Sequence, residues 1–241
     1  MSTPALLRER RSVRHFTAAD PGRERVAEVI EDAAWAPSGG NEQPWEVMAL
    51  SPGECARLRD RFEQRTWAGL VPKVRTLLEA AVGGPLPMAE VGPRIHARIE
   101  VDGLVRGAPW ALVVHTRPPA PPDPAALTEA GAWTRAALPP RWQAPASVAA
   151  FVSGPLDARV RRDSCVGFVL SLCLAAHARG LGTCIQYGYL AFEDELKATL
   201  GIDPRQALVA VVMLGWPDPE SPINAAAIEG ARRRPVPVEW R

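Results

Sequence analysis

No charge of one sign prevails in this 241-residue chain, where Lys and Arg total 28 against 27 Asp and Glu. The electropositive field that draws proteins onto nucleic acid or anionic membrane is therefore missing. Long apolar runs are missing too: the longest near-continuous one, Cys165 to Ala176, falls well short of the ~18 residues that cross a bilayer. The N-terminal MSTPALLRERRSVRHF has neither an apolar stretch nor a small-residue cleavage site, which argues against secretion and sets the expectation of a cytoplasmic protein. Only four cysteines occur, Cys55, Cys165, Cys173 and Cys184, in no CxxC or Cys/His spacing; neither a zinc site nor a redox dithiol is suggested, and they read as small hydrophobes. The four histidines, His15, His96, His115 and His177, are too scattered for a metal triad, and no G-x-S-x-G or P-loop appears. These absences leave a small molecule as the expected partner, with no metal and no side-chain nucleophile.

What the chain does have is proline, 25 in all, concentrated between Pro109 and Pro155 and near the C-terminus. Thr3-Pro4 and Asp20-Pro21 each fit a helix start, because proline at the first helical position loses no useful donor. In the second helix Val26, Val29, Ile30 and Ala33 form one apolar stripe. Trp45 to Leu50 reads as a strand, and Ser51, Pro52 and Glu54 as a capping-box start for a helix through Leu58 and Phe62. From Thr66 to Gly107 helical pattern is interrupted by Pro72, Pro85, Pro87 and Pro93. Ala108 to Thr116 reads as a second strand. Arg117 to Pro155, proline-dense with Trp133 and Trp142, reads as a cover. Asp157 to Arg179 is a long helix, apolar nearly all round its middle and capped by Gly180, which must be covered on every side. Leu208 to Leu214 is a buried strand, ended by Gly215 to Pro219. His177, near the end of the long helix, reads as a helix-end cation or a core histidine.

Two short segments concentrate chemistry. Arg10, Arg11, Ser12 and Arg14 place three guanidinium groups and a hydroxyl within five residues, a density suited to phosphate, although a solvated basic helix end has the same composition. Ala36 to Trp45 reads APSGGNEQPW: its glycines let backbone approach a flat ligand, and Asn41 and Gln43 offer amide donors and acceptors that match a heteroaromatic edge. A plain turn into the Trp45 strand would use the same residues.

Taken together, RRSVRHF at Arg10 to Phe16 and PSGGNEQPW at Pro37 to Trp45 resemble the FMN-dependent nitroreductase family. GLGTCIQYGY at Gly180 to Tyr189 is similar to that family's loop after its central helix, and VMLGWPDPE with the later RRRP resembles its closing strand and tail. Residues 55 to 156 are unmatched. The resemblance implies an α+β fold, a central, mainly antiparallel sheet between helices, in a single domain over residues 1–241 whose cover region at about 55–156 diverges. It implies an intertwined homodimer with the long helix at its interface. It assigns Arg10, Arg11, Ser12 and Arg14 to FMN, with Arg14 near the pyrimidine edge, where it favours negative charge on reduced flavin. Pro37, Ser38, Gly39, Asn41 and Gln43 would reach the flavin of the neighbouring subunit. Ile185, Gln186, Tyr187 and Gly188 would lie against the ring, with a backbone N–H near Gly188 aimed at N5; many relatives carry Glu-Gly where this chain has Tyr187-Gly188. Arg232 and Arg234 would close on the phosphate, and Val236 to Trp240 would add an edge strand embracing the partner.

The activity so implied is oxidoreduction by FMN: hydride from NAD(P)H to flavin N5, then to a nitroaromatic, quinone or other electron-poor acceptor, with ping-pong kinetics. Two alternatives stand beside it. One is a flavin-dependent oxidase of a specific metabolite or peptide, motivated by the unusual cover; the other is a flavin-binding protein without turnover.

Overall fold

The computed structural model describes residues 3–87, 89, 107–118, 155–229 and 235–239. Most of the proline- and tryptophan-rich cover, together with Arg232, Arg234 and Trp240, lies outside the described residues. Four strands form one sheet: β1 (Trp45–Leu50), β2 (Trp110–Thr116), β3 (Gly182–Gln186) and β4 (Leu208–Gly215), in the order β1-β2-β4-β3 with every neighbouring pair antiparallel. The helices are α1 (Thr3–Glu9), α2 (Arg23–Ala33), α3 (Pro52–Val82), α4 (Pro155–Ala178), α5 (Glu193–Leu200) and α6 (Pro222–Glu229). The expected α+β architecture of helices around an antiparallel sheet is therefore present.

Alternation along the strands explains the layering. Leu112, Val114, Ala210 and Val212 face α2 and α4, meeting Val26, Val29, Ala33, Phe168, Leu172 and Ala176. Ala111, Val113, Val211 and Met213 face the other way, onto Cys55, Leu58 and Phe62 of α3 and Leu196 of α5. β2 and β4 are buried along their whole length, and each large apolar side chain so enclosed contributes about 1.5–3 kcal/mol. Trp45 stacks on Phe168 with ring centroids 5.0 Å apart and planes inclined by 16°, joining the start of β1 to the middle of α4. All four cysteines are buried and free. Burial pushes the Cys165 thiol up to about 11 against the opposing charge of Arg161, so it is an inert hydrophobe. No helix among the described residues is long and apolar enough to cross a membrane.

Several sequence expectations change. α2 begins at Arg23 with Gly22 as its N-cap, not at Pro21. The Asp20 carboxylate instead accepts the Gly22 N–H at 2.9 Å and the Trp110 indole N–H at 2.7 Å, a tie to β2 that outweighs a cap. β2 begins at Trp110, two residues later than expected, after Gly107 turns with φ +76°. α3 starts on the expected capping box, the Ser51 N–H donating to Glu54 Oε2 at 2.9 Å, but it continues through Pro72 to Val82. One missing i→i−4 bond costs ~3 kcal/mol, which a long helix anchored by a buried face at Cys55, Leu58 and Phe62 can absorb. α4 begins at Pro155, two residues early. Gly180, with φ +75°, ends it as expected, and the Leu181 N–H returns to the Ala176 carbonyl at 2.9 Å. The stretch read as a loop after this helix contains β3 and a 3-10 turn over Tyr187–Phe192. Residues 236–239 form no strand in the single chain.

Candidate functional site

The segment after α1 is not a solvated helix end. It runs along the outer edge of β3, where Ser12 bridges Thr183 in parallel fashion and the Val13 N–H donates to the Thr183 carbonyl at 2.9 Å. Gly182 makes this approach possible: a Cβ there would stand 2.7 Å from Val13 Cβ. The arm is then stapled to the chain beyond β4. Asn224 Oδ1 accepts the N–H groups of Arg14 at 3.1 Å and His15 at 3.3 Å, while its Nδ2 donates to the carbonyls of His15 at 2.8 Å and Asp218 at 3.0 Å. Ser221 Oγ lies 3.0 Å from His15 Nδ1, and Thr17 N–H reaches the Trp216 carbonyl at 2.9 Å. One amide side chain from α6 thus fixes the backbone from which Arg14 projects.

Arg10, Arg11 and Ser12 border a cavity of about 340 Å³ with Glu9, His177, Thr183 and Asn224. Burial pushes the Cys184 thiol up while Gln186 and then Arg14 and Arg10 oppose it, which sets both guanidiniums within electrostatic reach of β3. Burial likewise holds the His177 imidazole below its ordinary value; Glu9 pulls the other way, and Arg10 and Arg11 add to the lowering. His177 is half-buried at the cavity wall, with its imidazole held below the ordinary value by that burial. Ile185 and Gln186 close β3 half-buried, Tyr187 turns outward at 53% exposure, and Gly188 follows in the 3-10 turn. The structure thus sets the segment carrying Arg10, Arg11, Ser12 and Arg14 beside Thr183, on the strand that continues into Ile185 and Gln186 and then Tyr187 and Gly188.

Pro37, Ser38, Gly39, Asn41 and Gln43 are elsewhere. Their turn, whose 3-10 segment spans Gly39–Asn41, packs on the first half of α4. The Gly39 N–H donates to Ser164 Oγ at 3.3 Å, and a Cβ on Gly39 would meet Val160 Cγ1 at 2.6 Å. Asn41 and Gln43 both have left-handed backbone, φ +56° and +50°. The Gln43 N–H is held by Ser38 Oγ at 2.9 Å, and its amide donates to Asn41 Oδ1 at 3.2 Å. Both amide side chains are exposed. Glu42 between them pairs with the buried Arg161 of α4. At ~1.5 Å of rise per residue, Ser164 and His177 lie about 20 Å apart along α4. The arginine arm with β3 therefore lies at one end of the helix and the amide turn at the other. Arg232 and Arg234 lie outside the described residues. Among those described, no cluster of His, Cys, Asp or Glu could hold a metal ion.

Thr183, Asn224, Glu42 and Arg161 were not among the residues singled out from sequence. Glu42 and Thr183 lie inside quoted motifs without a role of their own there, and Asn224 and Arg161 leave no trace, since their partners are far away in the chain.

Comparison with known proteins agrees with this architecture. A 5,6-dimethylbenzimidazole synthase from Rhodospirillum rubrum is 32% identical over 240 residues, covering 98% of this chain and 92% of that protein. A 4-nitrobenzoate reductase from Nocardioides sp. is 26% identical, over 96% of this chain and 86% of its own length. Among solved structures, the FMN and NADPH-dependent nitroreductase NfnB from sphigopyxis sp. strain HMH superposes with a TM-score of 0.59 at 22% identity, covering 100% of this chain and 99% of that one. Iodotyrosine deiodinase bound to FMN and 3-iodo-L-tyrosine superposes with a TM-score of 0.57 at 18% identity, over 99% and 98%. These likenesses establish the shared fold. The sequence model of the Nitroreductase family matches residues 7–216, spanning both the arginine arm and the amide turn, and the chain belongs to that family.

Proposed function

We propose that this protein is an FMN-dependent oxidoreductase that takes two electrons from NADH or NADPH and delivers them to an electron-poor small molecule, such as a nitroaromatic or quinone, in alternating half-reactions at one site. Two copies of the chain form each site. The observation that carries this reading is the separation of the two half-sites along α4. A second copy running antiparallel would set its Asn41 and Gln43 beside the first copy's Arg14 and Gly188. α4 supports such a pairing, because Val166 and Leu170 stand one turn apart and are 44% and 52% exposed in the single chain, an apolar surface a partner would cover.

The donor set fits FMN. Arg11 Nε and His177 Nε2 are buried with no hydrogen-bond partner among the described residues, and both residues line the 340 Å³ cavity. A phosphate or polyol oxygen would satisfy such donors. Bound FMN would supply the two-electron chemistry, which is why no acid, base or nucleophile is needed from the protein. Arg10, Arg11 and Ser12 would hold the phosphate and its chain, and Arg232 and Arg234 would add cations to them. Arg14 would place fixed positive charge where negative charge develops. Gly188 would present its main-chain N–H to the ring, with Ile185, Gln186 and Tyr187 alongside. Pro37, Ser38 and Gly39 would let backbone approach closely while the amides of Asn41 and Gln43 bind the heteroaromatic edge.

The absorption spectrum of the purified protein, FMN titration of the stripped protein and sedimentation test this reading. A yellow dimer bleached by NADH or NADPH and recoloured by a nitroaromatic is the expected outcome. A colourless monomer that refuses FMN overturns it. A second reading, in which the flavin serves conversion of one specific metabolite with oxygen as acceptor, is favoured by the relative named a synthase. It would stand if the bound flavin were reduced by neither nicotinamide.

A further inference from the structure

Left-handed backbone at two non-glycine residues within one turn is disfavoured and persists only where the surroundings over-determine it. Asn41 and Gln43 are such a pair, at φ +56° and +50°, and the residue between them is Glu42. Its carboxylate forms an ion pair with Arg161 Nη1, and Arg161 is itself only 6% exposed. The other fork of that guanidinium, Nη2, donates to the Arg117 carbonyl at 2.7 Å, and the Arg117 N–H donates to the Pro44 carbonyl at 2.6 Å. Arg161 thus grips the turn twice, directly through Glu42 and indirectly through the residue that follows β2. Its two anchors are on separate elements, so a shift of Glu42 relative to β2 would break one of them.

An ion pair that buries its arginine is seldom the most stabilising choice, since apolar replacements of similar volume are often neutral or better. What it provides here is orientation. We propose that Arg161 is a positioning residue for the cofactor site: by tethering Glu42 it holds the Asn41–Gln43 turn in its left-handed conformation, the one that presents both amides outward. This rests on the FMN reading above. Arg161 touches neither cofactor nor substrate, and it acts through the turn alone.

The test uses the full chain, stripped of flavin, in three forms: unaltered, R161K, and the double variant R161M/E42Q, which removes both charges together so that neither is left buried alone. Two quantities are read, the FMN dissociation constant from quenching of flavin fluorescence and the thermal midpoint without FMN. The expected result is FMN binding weakened by about ten- to a hundredfold in the double variant, as loss of support behind a binding group implies. Its thermal midpoint should stay near that of the unaltered protein, and the visible band of its bound flavin should be displaced. R161K, which keeps the charge but lacks the fork, should fall between the two. FMN affinities within twofold of one another, with only the thermal midpoint lowered, would overturn the proposal and leave the flavin reading intact. Should the double variant not fold, R161K decides by the same criterion. An unaltered chain that takes up no FMN would overturn both.

Discussion

The two ends of α4 hold the residues proposed to bind FMN by different means. At the C-terminal end, the arginine arm is an extended segment fixed through its backbone: a bridge to Thr183 that includes a main-chain bond from Val13, and three hydrogen bonds with the single side chain of Asn224. At the N-terminal end, the amide turn is a strained coil held by side chains, with Ser38, Ser164 and Glu42–Arg161 restraining Asn41 and Gln43. A backbone-fixed arm sets where its side chains start, and suits long guanidiniums that seek phosphate. A side-chain-fixed turn presents short amides in one pose, and suits recognition of a rigid ring edge. The two halves should therefore fail in different ways.

The largest expected effect comes from separating them. R10A/R14A should weaken FMN binding on the order of a hundredfold or more, since hydrogen bonds involving charged groups contribute about 1.5–3 kcal/mol each, and N41A/Q43A on the order of tenfold to a hundredfold, since neutral ones contribute about 0.5–1.5 kcal/mol each. When the two variants are co-expressed and mixed as dimers, about one site in four should regain full affinity, because a twofold-symmetric pairing gives each mixed dimer one site with both halves intact. Titration of the mixture against each parent measures this, and no recovery would mean that the halves never meet across a dimer.

Next in size are the close approaches. Gly182→Ala should cost about 2 kcal/mol by overpacking against Val13, and Gly39→Ala about 1 kcal/mol against Val160, both read from denaturant midpoints. Only the first should also loosen the arm, detectable as faster proteolysis near Arg14. Asn224→Ala should cost about 1–2 kcal/mol, because the half-buried main-chain groups it serves can partly turn to water. It should weaken FMN binding more than an equally destabilising change at the capping box, such as Ser51→Ala.

The smallest effect is in pH. His177 titrates below its ordinary value of 6.5 in the folded chain, so acidification protonates the unfolded chain first. The stability it contributes is complete above about pH 6.5 and is lost as pH falls toward the folded value. His177→Gln should flatten the acid limb of urea midpoints measured across that window. His115, also lowered by burial, would keep part of the slope.

Where order is local, it was legible in the residues. The strand from Trp45 to Leu50, the stripe of Val26, Val29 and Ala33, the Ser51–Glu54 box and the Gly180 cap each follow from patterns within one turn or one alternation. β3 was hidden because Gly-Leu-Gly-Thr has the composition of a turn. Pairing with the chain from Val211 to Gly215, and the bridge to Ser12, make it a strand. Asp20 was read as a cap because Trp110, its stronger partner, is far along the chain. The site was legible as residue types in two motifs, whereas its supports were not: Asn224 and Arg161 meet their partners only through folding and carry no signature of their own.

α4 is also a ruler. Between Ser164, which holds the turn, and His177, which lies beside the arm, the chain is continuous helix, so a single inserted residue would rotate one half-site about 100° around the axis relative to the other. The count of residues from Ser164 to His177 should therefore be held constant in any working variant of this scaffold.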